Sequence, residues 1–103
     1  MNVEEFRRAA YAAVDAICDY QKTLEDLPVV AQVEPGYLGK LLPKEAPTKG
    51  EPFDTIASDF QQYIMPGITH WQHPSFFAYF PCANTFESVL ADMLAGSITN
   101  PGF

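Results

Sequence analysis

Basic residues are scarce in this sequence: Lys and Arg number 6 against 13 Asp and Glu, for a formal charge of −7. Nucleic acid and anionic membrane surfaces are held by clustered cations, so neither is an expected partner. Cysteine is limited to Cys18 and Cys82, which belong to no metal-ligand spacing and are expected as buried free thiols. No apolar run reaches the roughly 18 residues of a membrane span. The N-terminus shows no basic stretch leading into an apolar one, as a leader would. A soluble, cytoplasmic chain is therefore the expectation. No Ser-His-Asp order, phosphate-cradling glycine loop or paired carboxylates can be read with any specificity. His70 and His73 alone do not complete a zinc site. They are expected as loop histidines bonded to backbone, and Asp92 as a solvent-facing residue of a helix.

Proline and apolar residues are what the sequence does have. Half of it, 48%, is hydrophobic, yet nine prolines interrupt it, leaving room for three modest helices and too little layering to cover every apolar face. The first helix is expected over about 2–26, opened by Asn2 and Glu5 in a capping-box spacing. Val3, Phe6, Ala10, Ala13, Ile17, Tyr20 and Leu24 step by three and four along it. A period of 3.5 is that of a helix–helix seam, which either a partner or this same chain could cover.

From 27 to 51, Pro28, Pro35, Pro43 and Pro47 forbid regular helix, so an extended strap is expected, with one helical turn over Leu38–Leu42. A flexible linker would be rich in Gly and Ser; this segment instead keeps Val29, Val30, Val33, Tyr37, Leu38, Leu41 and Leu42. A second helix is expected over 52–65, with Phe53, Ile56, Ala57, Phe60 and Ile64 on one face and Pro66-Gly67 ending it. An irregular aromatic loop over 66–83 follows. A third helix is expected over 84–99, capped by Asn84 with Glu87 and carrying Phe86, Val89, Leu90, Met93, Leu94 and Ile98.

Trp71, Phe76, Phe77, Tyr79 and Phe80 crowd the proline-bounded loop. A loop this aromatic either plugs a core or lines a pocket, and Pro81 stiffens the backbone beside Tyr79 and Phe80, as a pre-formed binding wall would need.

The blocks Asn2–Arg8, Val33–Leu38, Ile64–Trp71, His73–Pro81 and Leu90–Leu94, followed by Gly102-Phe103, resemble successive segments of the group II pyridoxal-phosphate-dependent aromatic L-amino acid decarboxylases, the family of DOPA, tyrosine and tryptophan decarboxylases. Glu34-Pro35-Gly36-Tyr37 and Phe77-Ala78-Tyr79-Phe80-Pro81 resemble the aromatic branch more than the glutamate decarboxylases. The resemblance runs in family order along the whole chain.

The resemblance implies the N-terminal arm of a fold-type I subunit in a homodimer, the arm being the stripe from Val3 to Leu24. It implies that Trp71, Tyr79, Phe80, Pro81 and Cys82 enclose the aromatic side chain of the substrate, and that Pro101 and Phe103 reach the pocket of the other subunit. Residue 82 is usually threonine in that family, so Cys82 removes a hydroxyl from the pocket. Pro101 stands where a branched apolar residue is commoner. The family's Schiff-base lysine, its acid on the pyridinium nitrogen and its histidine stacked on the cofactor match nothing here, including Lys22, Lys40, Lys44 and Lys49. The chain is thus expected as part of an aromatic amino acid decarboxylase that binds pyridoxal phosphate, itself carrying no catalytic residue and no metal site. The alternatives are an inactive short chain acting as an interaction module, and an independent three-helix domain binding an aromatic ligand.

Overall fold

A computed structural model describes residues 1–100 and shows helices joined by irregular segments, with no strand among the described residues. Helix α1 spans Val3–Thr23. Its start is set locally: the Asn2 side chain accepts from the Glu5 amide at 2.9 Å and the Glu5 carboxylate accepts from the Asn2 amide at 2.7 Å. Two otherwise orphaned donors are satisfied by this exchange, and Glu4 and Glu5 place negative charge at the positive end of the helix dipole. At the other end the Thr23 hydroxyl bonds back to the Asp19 carbonyl at 2.9 Å. A 3₁₀ turn over Leu24–Asp26 then tightens the chain ahead of Pro28.

Glu34-Pro35-Gly36-Tyr37 forms a tight turn, in which the Tyr37 amide donates to the Glu34 carbonyl at 3.1 Å and Gly36 holds φ at +81°. Proline at the second position and a left-handed glycine at the third are what a type II turn requires. The five-residue helix α2, Tyr37–Leu41, follows directly, one residue earlier than its expected position. Leu42 is extended, as a residue before proline prefers.

The segment expected as one continuous helix over 52–65 changes winding instead. Helix α3 covers Phe53–Asp59, the chain widens into a π-helical turn over Phe60–Ile64, and a 3₁₀ turn over Met65–Gly67 ends it. Pro66 has no amide hydrogen, so an α-helical ladder cannot run through it. The wider turn leaves the Tyr63 carbonyl able to accept from the Tyr37 hydroxyl at 2.6 Å, which pins the strap to this helix.

Helix α4, Phe86–Ser97, is capped by Thr85 and not by Asn84. Thr85 Oγ1 accepts from the Ser88 amide and Ser88 Oγ from the Thr85 amide, each at 3.2 Å. Asn84 with Glu87 and Thr85 with Ser88 both fit the capping-box spacing, and the helix forms the second. Glu87 falls in the first turn, where its own backbone amide and then the Thr85 hydroxyl hold its carboxyl below the usual carboxylate range.

Little of this assembly is covered. Among the described residues only Leu24 and His70 are buried, each at 6% exposure. The radius of gyration is 16.6 Å, against about 13 Å for a compact chain of this length. The chain exposes 8918 Å², where a globular monomer of its 11.5 kDa would expose about 5,800 Å². Cys18 and Cys82 are free but exposed, correcting the expectation of buried thiols: in so open an arrangement no second layer closes over either one.

Candidate functional site

Apart from the Tyr37–Tyr63 bond, the long-range polar bonds among the described residues converge on one place. The end of α1 and the start of the strap are tied to 70–73 by four of them. Tyr20 Oη lies 2.9 Å from His70 Nδ1, Gln21 Nε2 donates to Gln72 Oε1 at 3.0 Å, and the His70 amide donates to the Val29 carbonyl at 3.0 Å. His73 Nε2 adds a longer approach of 3.3 Å to the Glu25 carbonyl. A buried imidazole without a partner would cost about 1–3 kcal/mol, and the Tyr20 hydroxyl is what satisfies it. Burial beside that ring pushes the Tyr20 hydroxyl above its ordinary range.

His73 bonds backbone, as expected: besides the Glu25 contact, its Nδ1 accepts from the Ser75 amide at 2.9 Å. His70 departs from expectation, since its ring bonds a side chain across the fold. Tyr20 is likewise turned inward toward the loop. The apolar stripe of α1 is consequently divided. Val3 and Phe6 stand 73% and 57% exposed, whereas Ile17 and Tyr20 are half-buried and Leu24 is covered by the chain itself. Ala10 is half-buried and Ala13 exposed.

Trp71 sits between the two anchored residues His70 and Gln72. Its ring lies 5.2 Å from Phe76 at a 31° tilt and 6.2 Å from Tyr79 with planes only 8° apart. The second geometry is an offset stack, contributing about 0.5–1.5 kcal/mol beyond simple burial. Tyr79 has φ +59°, a left-handed conformation that costs a residue with a Cβ about 1–3 kcal/mol. The stack offsets part of that cost.

Beside this wall lies an open cleft of about 730 Å³, within the range of small-molecule sites. Trp71 and Cys82 line it together with Ile17, Tyr20, Gln21 and Phe86. A second cleft of about 650 Å³ opens on the other side of Tyr20, lined by residues including His70, Met65 and Val33. Tyr79 joins the site through Trp71, but Phe80, fully exposed, and Pro81 line neither cleft. Pro101 and Phe103 lie outside the described residues. Tyr20, His70 and Gln21 were not legible as site residues: a tyrosine at a seam position and a histidine in an aromatic loop carry no mark of their pairing across 50 positions.

Neither cleft is lined by Lys or Arg, and no group of three or more potential metal ligands occurs among the described residues. Lys22 is exposed and paired with Asp19 at 3.8 Å. These residues do not fit the holding of pyridoxal phosphate, which needs an amine for its aldehyde and donors for its phosphate. No described helix is long and apolar enough to cross a membrane.

A helical fold carrying an aromatic wall beside a cleft that holds Glu87 but no Lys or Arg suits an aromatic ligand. The pyridoxal-dependent decarboxylase conserved domain matches residues 35–103, and the chain belongs to that family. It is 48% identical over its whole length to an aromatic-L-amino-acid decarboxylase of Cavia porcellus, covering 22% of that protein, and 47% identical to a phenylacetaldehyde synthase of Petunia hybrida, covering 20%. Among solved structures, Catharanthus roseus tryptophan decarboxylase in complex with L-tryptophan superposes with a TM-score of 0.84 at 44% identity, covering 94% of this chain and 21% of that one. Oryza sativa TDC with PLP and tryptamine gives 0.86 at 38% identity, over 94% of this chain and 20% of that one. The chain thus spans about a fifth of the length of the relatives it matches, and its helices correspond to the N-terminal part of that fold.

Proposed function

We propose that this chain is the front part of a pyridoxal-phosphate-dependent decarboxylase that converts an aromatic L-amino acid to its amine and CO2. The observation that carries the reading is the Trp71–Tyr79 stack beside a cleft lined by Trp71, Tyr20 and Phe86, with Glu87 its one carboxylate. Flat, polarisable rings favour an aromatic side chain as ligand. Trp71, Tyr79 and Cys82 are proposed as the wall, and Phe80 and Pro81, which line neither cleft here, are proposed to join it in the whole protein together with Pro101 and Phe103. The cofactor supplies the electron sink for decarboxylation when bound. Because residues 1–100 do not fit it, the described part is assigned the binding and orientation of the substrate's ring, and the bond-breaking chemistry is assigned to residues elsewhere.

The test is to express the natural-length protein and measure CO2 release from tryptophan, tyrosine, DOPA and phenylalanine, with mass spectrometry of the products. Turnover of at least one, with KM raised about ten-fold or more in Trp71→Ala as expected for loss of a buried aromatic contact, supports the reading. Absence of turnover on all four, or a Trp71→Ala variant with unchanged KM, refutes it. Recovery of an aldehyde in place of the amine would put the protein with the synthases among its relatives.

The exposed end of α1 favours a further part of the proposal, a homodimer in which the open part of the stripe, Val3, Phe6 and Ala13 beside the half-buried Ala10, forms the arm, Leu24 and Tyr20 being engaged within the chain. A monomeric natural-length protein in analytical ultracentrifugation would remove it. Free, exposed Cys18 and Cys82 fit a reducing compartment, and the cytoplasm is the location proposed.

A further inference from the structure

Trp71 is 44% exposed, and its ring packs on Phe76 and on the left-handed Tyr79 of its own loop. What holds its backbone are the residues on either side. His70 is the only buried polar residue described, and its ring is held by Tyr20 of α1, with ring centroids 5.6 Å apart. Gln72 is held by Gln21, the next residue of the same helix. Successive residues of α1 thus grip the residues flanking Trp71, and Tyr20 lies between the two clefts and lines both.

From this geometry we infer that Tyr20 and His70 are positioning residues: their hydrogen bond sets the orientation of Trp71 and thereby the selectivity of the cleft for the size of the aromatic side chain. The physical reason is a difference in stiffness. A helix held by its own backbone ladder is a fixed reference, while a loop with no ladder takes its position from its few directed bonds. Removing the Tyr20 hydroxyl leaves His70 Nδ1 without that partner; the Val29 and Gln21 bonds and the longer Glu25 approach still tether the loop, but nothing then fixes the His70 ring beside Trp71. Trp71 then tilts, and the wall that distinguishes an indole from a phenyl ring moves with it.

The selectivity half of this inference rests on the proposed function; the orientation half does not. The experiment uses the natural-length protein in two arms. In the first, 5-fluorotryptophan is incorporated and the ¹⁹F resonance of Trp71 is assigned by its loss in Trp71→Phe. In the second, the ratio of kcat/KM for tryptophan over phenylalanine is measured. Tyr20→Phe and His70→Leu are each expected to shift the resonance and change the ratio about five-fold, the size of one net hydrogen bond, through KM and not kcat. The double variant should be no worse than either alone. His70→Asn, which keeps an acceptor near the Nδ1 position, should restore the ratio.

Val29→Ala serves as the comparison for a purely structural effect. It thins the half-buried packing beside His70 and leaves the backbone bond in place, so it should lower stability with the ratio unmoved. An unmoved Trp71 resonance in Tyr20→Phe overturns the inference outright. A resonance that moves while the ratio stays constant overturns the selectivity half. If the wild-type protein turns over no aromatic amino acid, the proposed function falls, and the resonance arm still decides the positioning role.

Discussion

Replacing Gly67 by alanine tests how the strap is fastened to the second helical region. A Cβ built at Gly67 would overlap the Tyr37 hydroxyl and stand 3.0 and 3.1 Å from Cζ and Cε1 of the same ring. That hydroxyl bonds the Tyr63 carbonyl at 2.6 Å, so the ring cannot swing away without breaking the bond. Overpacking costs about 1–3 kcal/mol, and the lost hydrogen bond accounts for about 0.5–1.5 kcal/mol of it. Tyr37→Phe alone should cost that smaller amount. In the double variant the oxygen that clashes is already gone, and only the two ring carbons must yield by a few tenths of an ångström. Gly67 does not sit at positive φ, so alanine also gains about 0.4–1 kcal/mol by restricting the unfolded chain. The double variant should therefore be about as stable as Tyr37→Phe, with a coupling of at least about 1 kcal/mol between the sites. Urea unfolding of the natural-length protein and its three variants measures this. Costs that simply add would refute the clasp between Tyr37 and Gly67.

Asn2→Ala removes the cap of α1 and should cost about 1 kcal/mol; amide hydrogen exchange should accelerate over residues 4–8 and not over 15–20. Glu87 is held in its charged form in the folded state, so its stabilising contribution is present above the ordinary carboxylate pKa and lost as pH falls through its lowered value. Glu87→Gln should flatten that part of an acid titration followed by circular dichroism, and an unchanged profile would argue against the contact with Thr85. Tyr20 is shifted the other way, so its contribution is complete below the ordinary tyrosine range near pH 10 and is lost as pH rises through the raised value. Ultraviolet difference titration should show one late-ionising phenol that disappears in Tyr20→Phe.

Features set by neighbours three or four positions apart could be read directly. Asn2 with Glu5 and the stop at Pro66-Gly67 rest on backbone donors and dihedral limits that a few adjacent residues control, whereas the tight turn at Pro35-Gly36 was not read within a strap expected to be extended. Where two local solutions competed, reading failed by a small step: Asn84 with Glu87 and Thr85 with Ser88 are both good caps at the same spacing, and the helix starts from the second. The resemblance carried by Ile64–Trp71 and His73–Pro81 agreed with the family match because such blocks preserve side chains in order.

What the sequence alone determined was the helical class, the proline-broken strap and the clustering of aromatics around Trp71. Tertiary structure decided which of those residues work together. The Tyr20–His70 bond, the grip of Tyr37 on the widened turn at Tyr63, and the split of the α1 stripe into a covered end and an open one each join positions far apart in the chain. Periodicity records which face of a helix is apolar. It holds no record of what lies opposite, because that depends on how the chain closes in space and on the one geometry that satisfies the buried imidazole.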